Sequence, residues 1–313
     1  MVFFIFIGMK KNVSLILLVF YWGISAQHQK IHLYSDTMPC ASESVLNEIT
    51  NTVSIQHKIS TPQMWVFPTK DSSASAPAVL VLPGGGYRNL AFEKEGIQVA
   101  KWLNTLGISA FVLMYRTPYW ESVSCKKEIP ISDAKQAMRI IRYRASEWNI
   151  NPNKVGVMGF SAGGHLSATL STQFDYGNQD ETEPLASVST RPDFSVLVYP
   201  VISMRKAYTH MGSRQSLLGE NPTNEEIIAY SNELQVKTDT PPAILIHASN
   251  DMAVIAENSI MYYKALLEKN IPVALHIWED GGHGFGLYRE KGSVKSWSNT
   301  VQHWFIQRGI LKH

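Results

Sequence analysis

The chain has 313 residues, of which 45% are apolar and 17% charged. That composition supports a large core and excludes a globally disordered chain. The 28 Lys and Arg nearly balance the 26 Asp and Glu, so no basic nucleic-acid surface is indicated. Two cysteines exclude both a disulfide framework and a four-thiolate zinc site.

The first 26 residues differ from the rest. Lys10 and Lys11 precede the apolar run Val13–Trp22, and Ile24-Ser25-Ala26 closes it with a small residue. A charged segment, an apolar stretch of about ten residues and a small-residue cleavage site read as a secretory signal over residues 1–26, with Met9 as an alternative start. A membrane anchor needs about 20 apolar residues. Phe3–Ile7 would lengthen the run, but Gly8-Met9-Lys10-Lys11 interrupts it. No cysteine stands at the cleavage site, as a lipoprotein would require. The expected location is therefore secreted or periplasmic, with no membrane association after cleavage. Residues 1–26 hold two lysines and no acid, so residues 27–313 carry 26 basic and 26 acidic residues. Export makes a Cys40–Cys125 bridge chemically possible, while two unpaired buried thiols fit the sequence as well.

Residues 27–313 are expected to form one domain. Residues 27–50 are polar and irregular and read as a leader to it. Val53–Ile59 and Met64–Phe67 are expected as two short antiparallel strands. From residue 77 the pattern changes. Ala78–Leu82 is a fully apolar run of the kind found in buried parallel strands. Glu93–Leu106 has helical spacing and stops at Gly107. Ile108–Tyr115 is the next strand, and Ser132–Trp148 a long helix with Ser132 as its N-cap. Lys154–Met158 (strand), Ala162–Gln173 (helix) and Phe194–Tyr199 (strand) follow. Residues 201–240 are mixed. Ala243–Ala248 (strand), Val254–Lys269 (helix), Val273–Trp278 (strand) and Val294–Arg308 (helix) complete the chain. This alternation predicts an α/β fold, a mostly parallel central sheet with helices on both faces. Ligands in such sheets bind beyond the carboxyl ends of the strands, so the residues just after each strand are the candidates for chemistry.

After Ala78–Leu82 comes Gly84-Gly85-Gly86-Tyr87. It is either a flexible turn or a loop whose N–H groups approach a ligand closely. A dinucleotide fingerprint fails because Asn89 stands at the third glycine position. A Walker loop fails for want of Gly-Lys-Ser/Thr. After Lys154–Met158 comes Gly159-Phe160-Ser161-Ala162-Gly163-Gly164, a G-x-S-x-G between a predicted strand and a predicted helix. A serine on so sharp a turn needs glycines on both sides, and the turn sets the Ala162 N–H toward a developing oxyanion. The plain alternative is a glycine-rich turn whose serine caps the helix. Asp251, after Ala243–Ala248, suits either a helix cap or a catalytic acid. His283, after Val273–Trp278, lies among Gly281, Gly282, Gly284 and Gly286, which let a loop present its ring. The order Ser161, Asp251, His283, each after a different strand, is that of α/β-hydrolases.

From about residue 77 onward the chain resembles that superfamily. More narrowly it resembles the esterases related to acetylxylan esterases and other carbohydrate esterases of polysaccharide-degrading bacteria. The resemblance rests on Pro83-Gly84-Gly85-Gly86-Tyr87, Tyr115-Arg116, Gly159 to His165, Pro241-Pro242-Ala243 running to Asn250-Asp251, and Gly281 to Gly286. Many relatives carry His-Gly-Gly-Gly, and here Pro83 replaces that histidine, so its support must be absent or supplied otherwise. The resemblance implies a serine carboxylesterase with a minimal lid, acting on acetylated oligo- or polysaccharides.

In that reading Ser161 is the nucleophile, His283 the base and Asp251 the acid that orients it. Ala162 with Gly85, Gly86 or Tyr87 forms the oxyanion hole. No metal or organic cofactor is called for. Asp280 is too local to His283 to be the first choice for the acid, and Asp239 is a distant alternative. His165 is expected to pack beneath the nucleophile turn, and His247 and His276 lie inside strands. Arg116 and Asp133 are expected to pair across a loop, with two solvated charges as the alternative. Tyr87, Tyr119 and Trp120 are expected on loops near the strand ends, where they would stack on sugar rings or simply pack. Residues 201–240 occupy a lid position but are too short and polar for a lipase lid. A feruloyl or general carboxylesterase, a prolyl-oligopeptidase-type peptidase and a non-catalytic carbohydrate binder are the alternatives. The peptidase would need a large N-terminal propeller, and the binder should have lost a triad residue.

Overall fold

The computed structural model describes residues 29–35, 38–40, 55–69, 75–120, 125–180, 182–287 and 292–312, without the side chains of His57 and Trp120. The expected signal segment lies outside them. In chain order the strands and helices are β1 (Gln29–His32), β2 (Gln56–His57), β3 (Gln63–Phe67), β4 (Ala76–Leu82), β5 (Asn89–Leu90), α1 (Gln98–Thr105), β6 (Ser109–Met114), α2 (Glu128–Tyr143), β7 (Ile150–Phe160), α3 (Ser161–Thr172), β8 (Ser195–Val198), α4 (Met211–Leu218), α5 (Asn224–Ala229), β9 (Ala243–Ala248), α6 (Glu257–Glu268), β10 (Val273–Trp278) and α7 (Trp297–Gln307). A π-helical turn, Glu93–Ile97, runs directly into α1.

Eight strands form one open sheet in the order β1-β3-β6-β4-β7-β8-β9-β10. β1, β3 and β6 pair antiparallel, and every pair from β6 to β10 across the sheet is parallel. The inner strands are apolar at nearly every position because both of their faces are covered.

The connections decide where a ligand can sit. From β4 the chain passes through α1 to β6 on one side. From β6 it returns through α2 past β4 to β7, then moves on to β8, β9 and β10. Right-handed crossovers running in opposite directions lie on opposite faces. Accordingly α1 meets α7 through Trp102 and Trp297, with ring centroids 5.7 Å apart. On the other face α2 packs on α3, and α3 and α6 share a cluster with Ala168, Leu197, Tyr262 and Leu266. β4 and β7 are neighbours whose connections leave in opposite directions, which opens a crevice beyond their carboxyl ends.

Several expectations are corrected. Within residues 27–50, Gln29–His32 is an edge strand and not part of an irregular leader. Only Ile31 among its four residues is apolar, so it lacks the signature of an inner strand, and Lys30 rests over the Trp65 ring. β2 and β3 do not pair with each other: β2 pairs with β5, and β3 lies between β1 and β6. The long helix begins at Glu128, and Ser132 is not its cap; the Ser132 hydroxyl donates to the Ile129 carbonyl. Pro130 falls in the first turn, where main-chain N–H groups have no helical acceptor, so it does not break the helix.

Cys40 and Cys125 are joined in a disulfide, with Cα atoms 6.1 Å apart. The expected Arg116–Asp133 pair is formed and fully buried. Nη2 lies 2.7 Å from Oδ1, Nε 3.0 Å from Oδ2, and the Arg116 N–H also donates to Oδ2. Nη1 donates to the carbonyl of Pro39, beside Cys40, and Tyr34 donates its hydroxyl to Asp133. One guanidinium thus fastens the N-terminal segment, the loop after β6 and α2 together.

Candidate active site

β7 turns into α3 at Ser161, with no intervening residue. Ser161 has φ +52°, a left-handed conformation that costs a non-glycine residue on the order of 1 kcal/mol. The turn is tight enough to require its glycines. A Cβ on Gly159 would stand 2.2 Å from the Gly163 carbonyl oxygen, and one on Gly163 would stand 2.1 Å from that of Leu82. Ser161 is 7% exposed and lines a cavity of about 450 Å³ at the β4–β7 crevice, together with Gly85, Gly86, Arg88, His210 and His283.

Asp251 follows β9 and is 2% exposed. Its two oxygens take different partners. Oδ1 accepts the N–H groups of Ala253 and Val254, both at 2.9 Å, in the turn before α6; it does not cap that helix, which begins at Glu257. Oδ2 lies 2.7 Å from Nδ1 of His283. Burial pushes the carboxyl pKa up, but hydrogen bonds from His247, His283 and the Val254 N–H outweigh it and hold Asp251 below the usual carboxylate range. An ionised carboxylate only accepts, so His283 carries its proton on Nδ1. Nε2 is then the acceptor, and the Ser161 hydroxyl lies 2.8 Å from it.

The loop that carries His283 is tied at several points. Asn250 Oδ1 accepts the N–H groups of Gly281 and Gly282 at 3.0 and 2.8 Å. Lys94 donates to the Gly284 carbonyl, and the Trp297 indole to that of Gly286. The Gly286 N–H donates to the hydroxyl of Tyr199, whose ring meets the His283 ring edge-on at 5.0 Å.

The glycine loop after β4 is held from both sides. The Pro83 carbonyl accepts the Tyr115 hydroxyl at 2.7 Å, and the Gly84 N–H donates to Glu95 Oε2 at 2.8 Å. Glu95 Oε1 accepts the Tyr199 hydroxyl at 2.9 Å. Burial raises the Glu95 pKa, against the pull of the Gly84 and Tyr199 hydrogen bonds. These groups support the loop where Pro83 replaces the expected histidine. Among the described residues nothing accepts from the N–H of Gly85 or Gly86. The N–H of Ala162 lies in the first turn of α3, where no helical acceptor exists.

Tyr87 is corrected. It is 1% exposed and does not stack on anything in the cavity. Its hydroxyl lies 2.8 Å from His165 Nδ1, while His165 Nε2 lies 2.8 Å from the Tyr230 carbonyl. A carbonyl only accepts, so Nε2 holds the proton and Tyr87 donates to Nδ1. Tyr119 is 37% exposed and lies beneath the Arg88 guanidinium, not among the cavity-lining residues. The Trp120 side chain lies outside the described residues. Asp239 accepts from Tyr176, and Asp280 from Ser293, so neither meets His283. His247 sits under Asp251, with Nε2 3.5 Å from Oδ2, while His276 stacks on Trp278.

Sequence reasoning missed Glu95, Tyr199, Asn250 and His210. Asn250 adjoins Asp251 and offered a signal. The others reach the site from distant segments and offered none. Among the described residues no cluster of three His, Cys, Asp or Glu is placed to hold a metal ion, and no helix is long and apolar enough to cross a membrane.

The sequence profile of the BD-FAE family matches residues 64–266. The chain belongs to the BD-FAE family. It is 42% identical over 217 residues to an acetylxylan esterase of Xylanibacter ruminicola, a match covering 68% of this chain and 42% of that protein. It is also 42% identical over 213 residues to endo-1,4-beta-xylanase B of Butyrivibrio fibrisolvens, covering 68% of this chain and 33% of that one. The chain thus spans less than half the length of both relatives. Among solved structures it resembles an acetyl ester-xyloside bifunctional hydrolase from Caldicellulosiruptor lactoaceticus. That match has a TM-score of 0.79 and 38% identity, and covers 92% of this chain and 99% of the other. The α/β-hydrolase fold expected from the strand-end motifs is the fold of this family member.

Proposed function

We propose that this chain, a carboxylic ester hydrolase by family and fold, removes acetyl groups from xylan-type carbohydrates through an acyl-enzyme on Ser161. The observation that carries the mechanism is the continuous hydrogen-bond chain Asp251–His283–Ser161 ending in the crevice cavity.

A serine hydroxyl is a weak nucleophile at neutral pH. His283 Nε2 takes its proton as Oγ bonds to the acetyl carbon, and Asp251 stabilises the imidazolium. The carbonyl oxygen becomes an oxyanion held by the N–H groups of Ala162, Gly85 and Gly86. The bond to the sugar oxygen then breaks, and His283 returns the proton to that oxygen. Water repeats the sequence on the acetyl-enzyme, giving acetate and free Ser161.

The names of the Xylanibacter and Caldicellulosiruptor proteins support the acetyl and xyloside assignment. Among the described residues, the segment between β8 and β9 forms only the short helices α4 and α5, which favours a short acyl group on a polar alcohol. The signal-like residues 1–26 and the Cys40–Cys125 bridge support export to an oxidising compartment.

The test is acetate release from acetylated xylan, acetylated pectin and acetylated monosaccharides, with p-nitrophenyl acetate and butyrate alongside. Ser161-dependent acetate from the carbohydrates is expected. Ser161-dependent turnover of the aryl esters alone would move the substrate to aryl or feruloyl esters.

A further inference from the structure

We propose that His210 binds the sugar part of the substrate, donating a hydrogen bond from Nε2 to one of its oxygens. The inference rests on the ester hydrolase reading above and adds a specificity residue to it.

His210 is the N-cap of α4, in the segment inserted between β8 and β9. Its half-buried ring lines the cavity that Ser161 and His283 share. The ring's tautomer follows from its partners. Nδ1 accepts the main-chain N–H of Ser213 at 3.2 Å and lies 2.9 Å from the Ser213 hydroxyl. A main-chain N–H can only donate, so the neutral ring carries its proton on Nε2. Burial lowers the ring's pKa, and His283 and Arg88 lower it further against the opposing charge of Asp251, so the neutral form is favoured.

Among the described residues nothing accepts from Nε2. The ring edge faces the glycine loop: a Cβ on Gly86 would lie 3.9 Å from His210 Cε1. His210 therefore stands beside the loop assigned to the oxyanion, on the wall of the cavity, and carries its donor on the same ring. Arg88 lines the same cavity with its Nε donating to Ser216, and Glu95, also on its wall, has its two oxygens taken by the Gly84 N–H and the Tyr199 hydroxyl. With its Nε2 donor unengaged, His210 favours an oxygen acceptor on its side of the cavity. The hydroxyl and ring oxygens of a sugar supply several such acceptors, whereas a nitrophenyl leaving group offers only the weakly accepting oxygens of its distal nitro group.

Two substitutions separate the cap from the donor. His210→Asn keeps a good N-cap, because an Asn side-chain oxygen accepts the Ser213 N–H, but removes the Nε2 donor. His210→Gln extends an amide N–H toward the Nε2 position. Both are assayed against an acetylated xylo-oligosaccharide and against p-nitrophenyl acetate, with melting temperatures recorded. The proposal expects His210→Asn to lower kcat/KM on the sugar ester about tenfold, mainly through KM, and to change the aryl ester less than about twofold. His210→Gln should restore part of the sugar activity. Equal losses on both substrates, or no loss on either, would overturn the role of His210. Loss of Ser161-dependence on both substrates would instead overturn the ester hydrolase reading beneath it.

Discussion

Glu95 and Tyr199, 104 residues apart in sequence, share a buried 2.9 Å hydrogen bond that joins the two loops of the site. Through its other oxygen Glu95 holds the Gly84 N–H, and through its hydroxyl Tyr199 holds the Gly286 N–H. The proposed oxyanion loop and the His283 loop are therefore set relative to one another by a carboxylate and a phenol. Glu95 acts here as a positioning residue. Removing one oxyanion donor outright costs about 2.7–4 kcal/mol in the barrier. Loosening the donors should cost less. Glu95→Ala is expected to lower kcat on p-nitrophenyl acetate by about 10–100-fold, with KM changed less than about threefold. Glu95→Gln, which keeps one acceptor oxygen, should fall between. An unchanged kcat in Glu95→Ala would reject the role.

The Tyr87–His165 pair predicts an acid limb in stability. Burial lowers the His165 pKa from 6.5 to about 4, against the opposing hydrogen bond to the Tyr230 carbonyl. Above pH 6.5 the ring is neutral in both folded and unfolded chains, and its contribution is complete. Below 6.5 the unfolded chain takes up the proton and the folded one does not. Stability then falls by about 1.4 kcal/mol per pH unit until the folded pKa is reached, about 3 kcal/mol in all. Urea unfolding at pH 7 and pH 5 should show a loss about 2 kcal/mol larger in the wild type than in His165→Gln. Because the carboxylates titrate in both proteins, the difference isolates the ring. Equal pH dependence in the two would contradict this assignment.

Arg116 and Asp133 predict an asymmetry between breaking and replacing a pair. Asp133→Ala leaves a buried guanidinium without its carboxylate, which should destabilise the fold by about 3–5 kcal/mol. The apolar double replacement Arg116→Met with Asp133→Leu should recover much of that loss. Thermal unfolding of the three proteins measures it. An Asp133→Ala protein as stable as the wild type would reject the brace.

The Cys40–Cys125 bridge closes a loop of 85 residues and fastens the segment that Arg116 Nη1 also holds. Removing it by Cys40→Ser with Cys125→Ser is expected to lower stability by about 2–4 kcal/mol. Combined with Asp133→Ala the losses should not add, since both act on the same segment. Strict additivity in the double-mutant cycle would show that the two restraints are independent.

What was legible in the sequence was local. Ala78–Leu82, Lys154–Met158, Ala243–Ala248 and Val273–Trp278 announce strands by short, mainly apolar runs, and the strand-end rule led from them to the glycine loop, Ser161, Asp251 and His283. The edge strand Gln29–His32 was not legible because an edge position imposes little apolar pattern. The start of α2 was placed at Ser132 because serine is a favoured N-cap, and nothing local distinguishes that from a serine in the second turn of a helix begun at Glu128. Tyr87 was left between stacking and packing because an aromatic residue beside a glycine loop can face either way, and only the fold brings His165 within reach of its hydroxyl. Glu95, Tyr199 and His210 depend on contacts between segments far apart in sequence, which no local pattern encodes.

The central claim is that hydrolysis runs through Ser161. The most direct measurement is labelling with a fluorophosphonate, followed by peptide mass spectrometry and assay of residual turnover of p-nitrophenyl acetate. The account predicts one adduct, on the peptide carrying Ser161, with turnover lost in proportion to labelling and no adduct on Ser161→Ala. Full labelling with turnover retained, or an adduct and activity that both survive in Ser161→Ala, would contradict it.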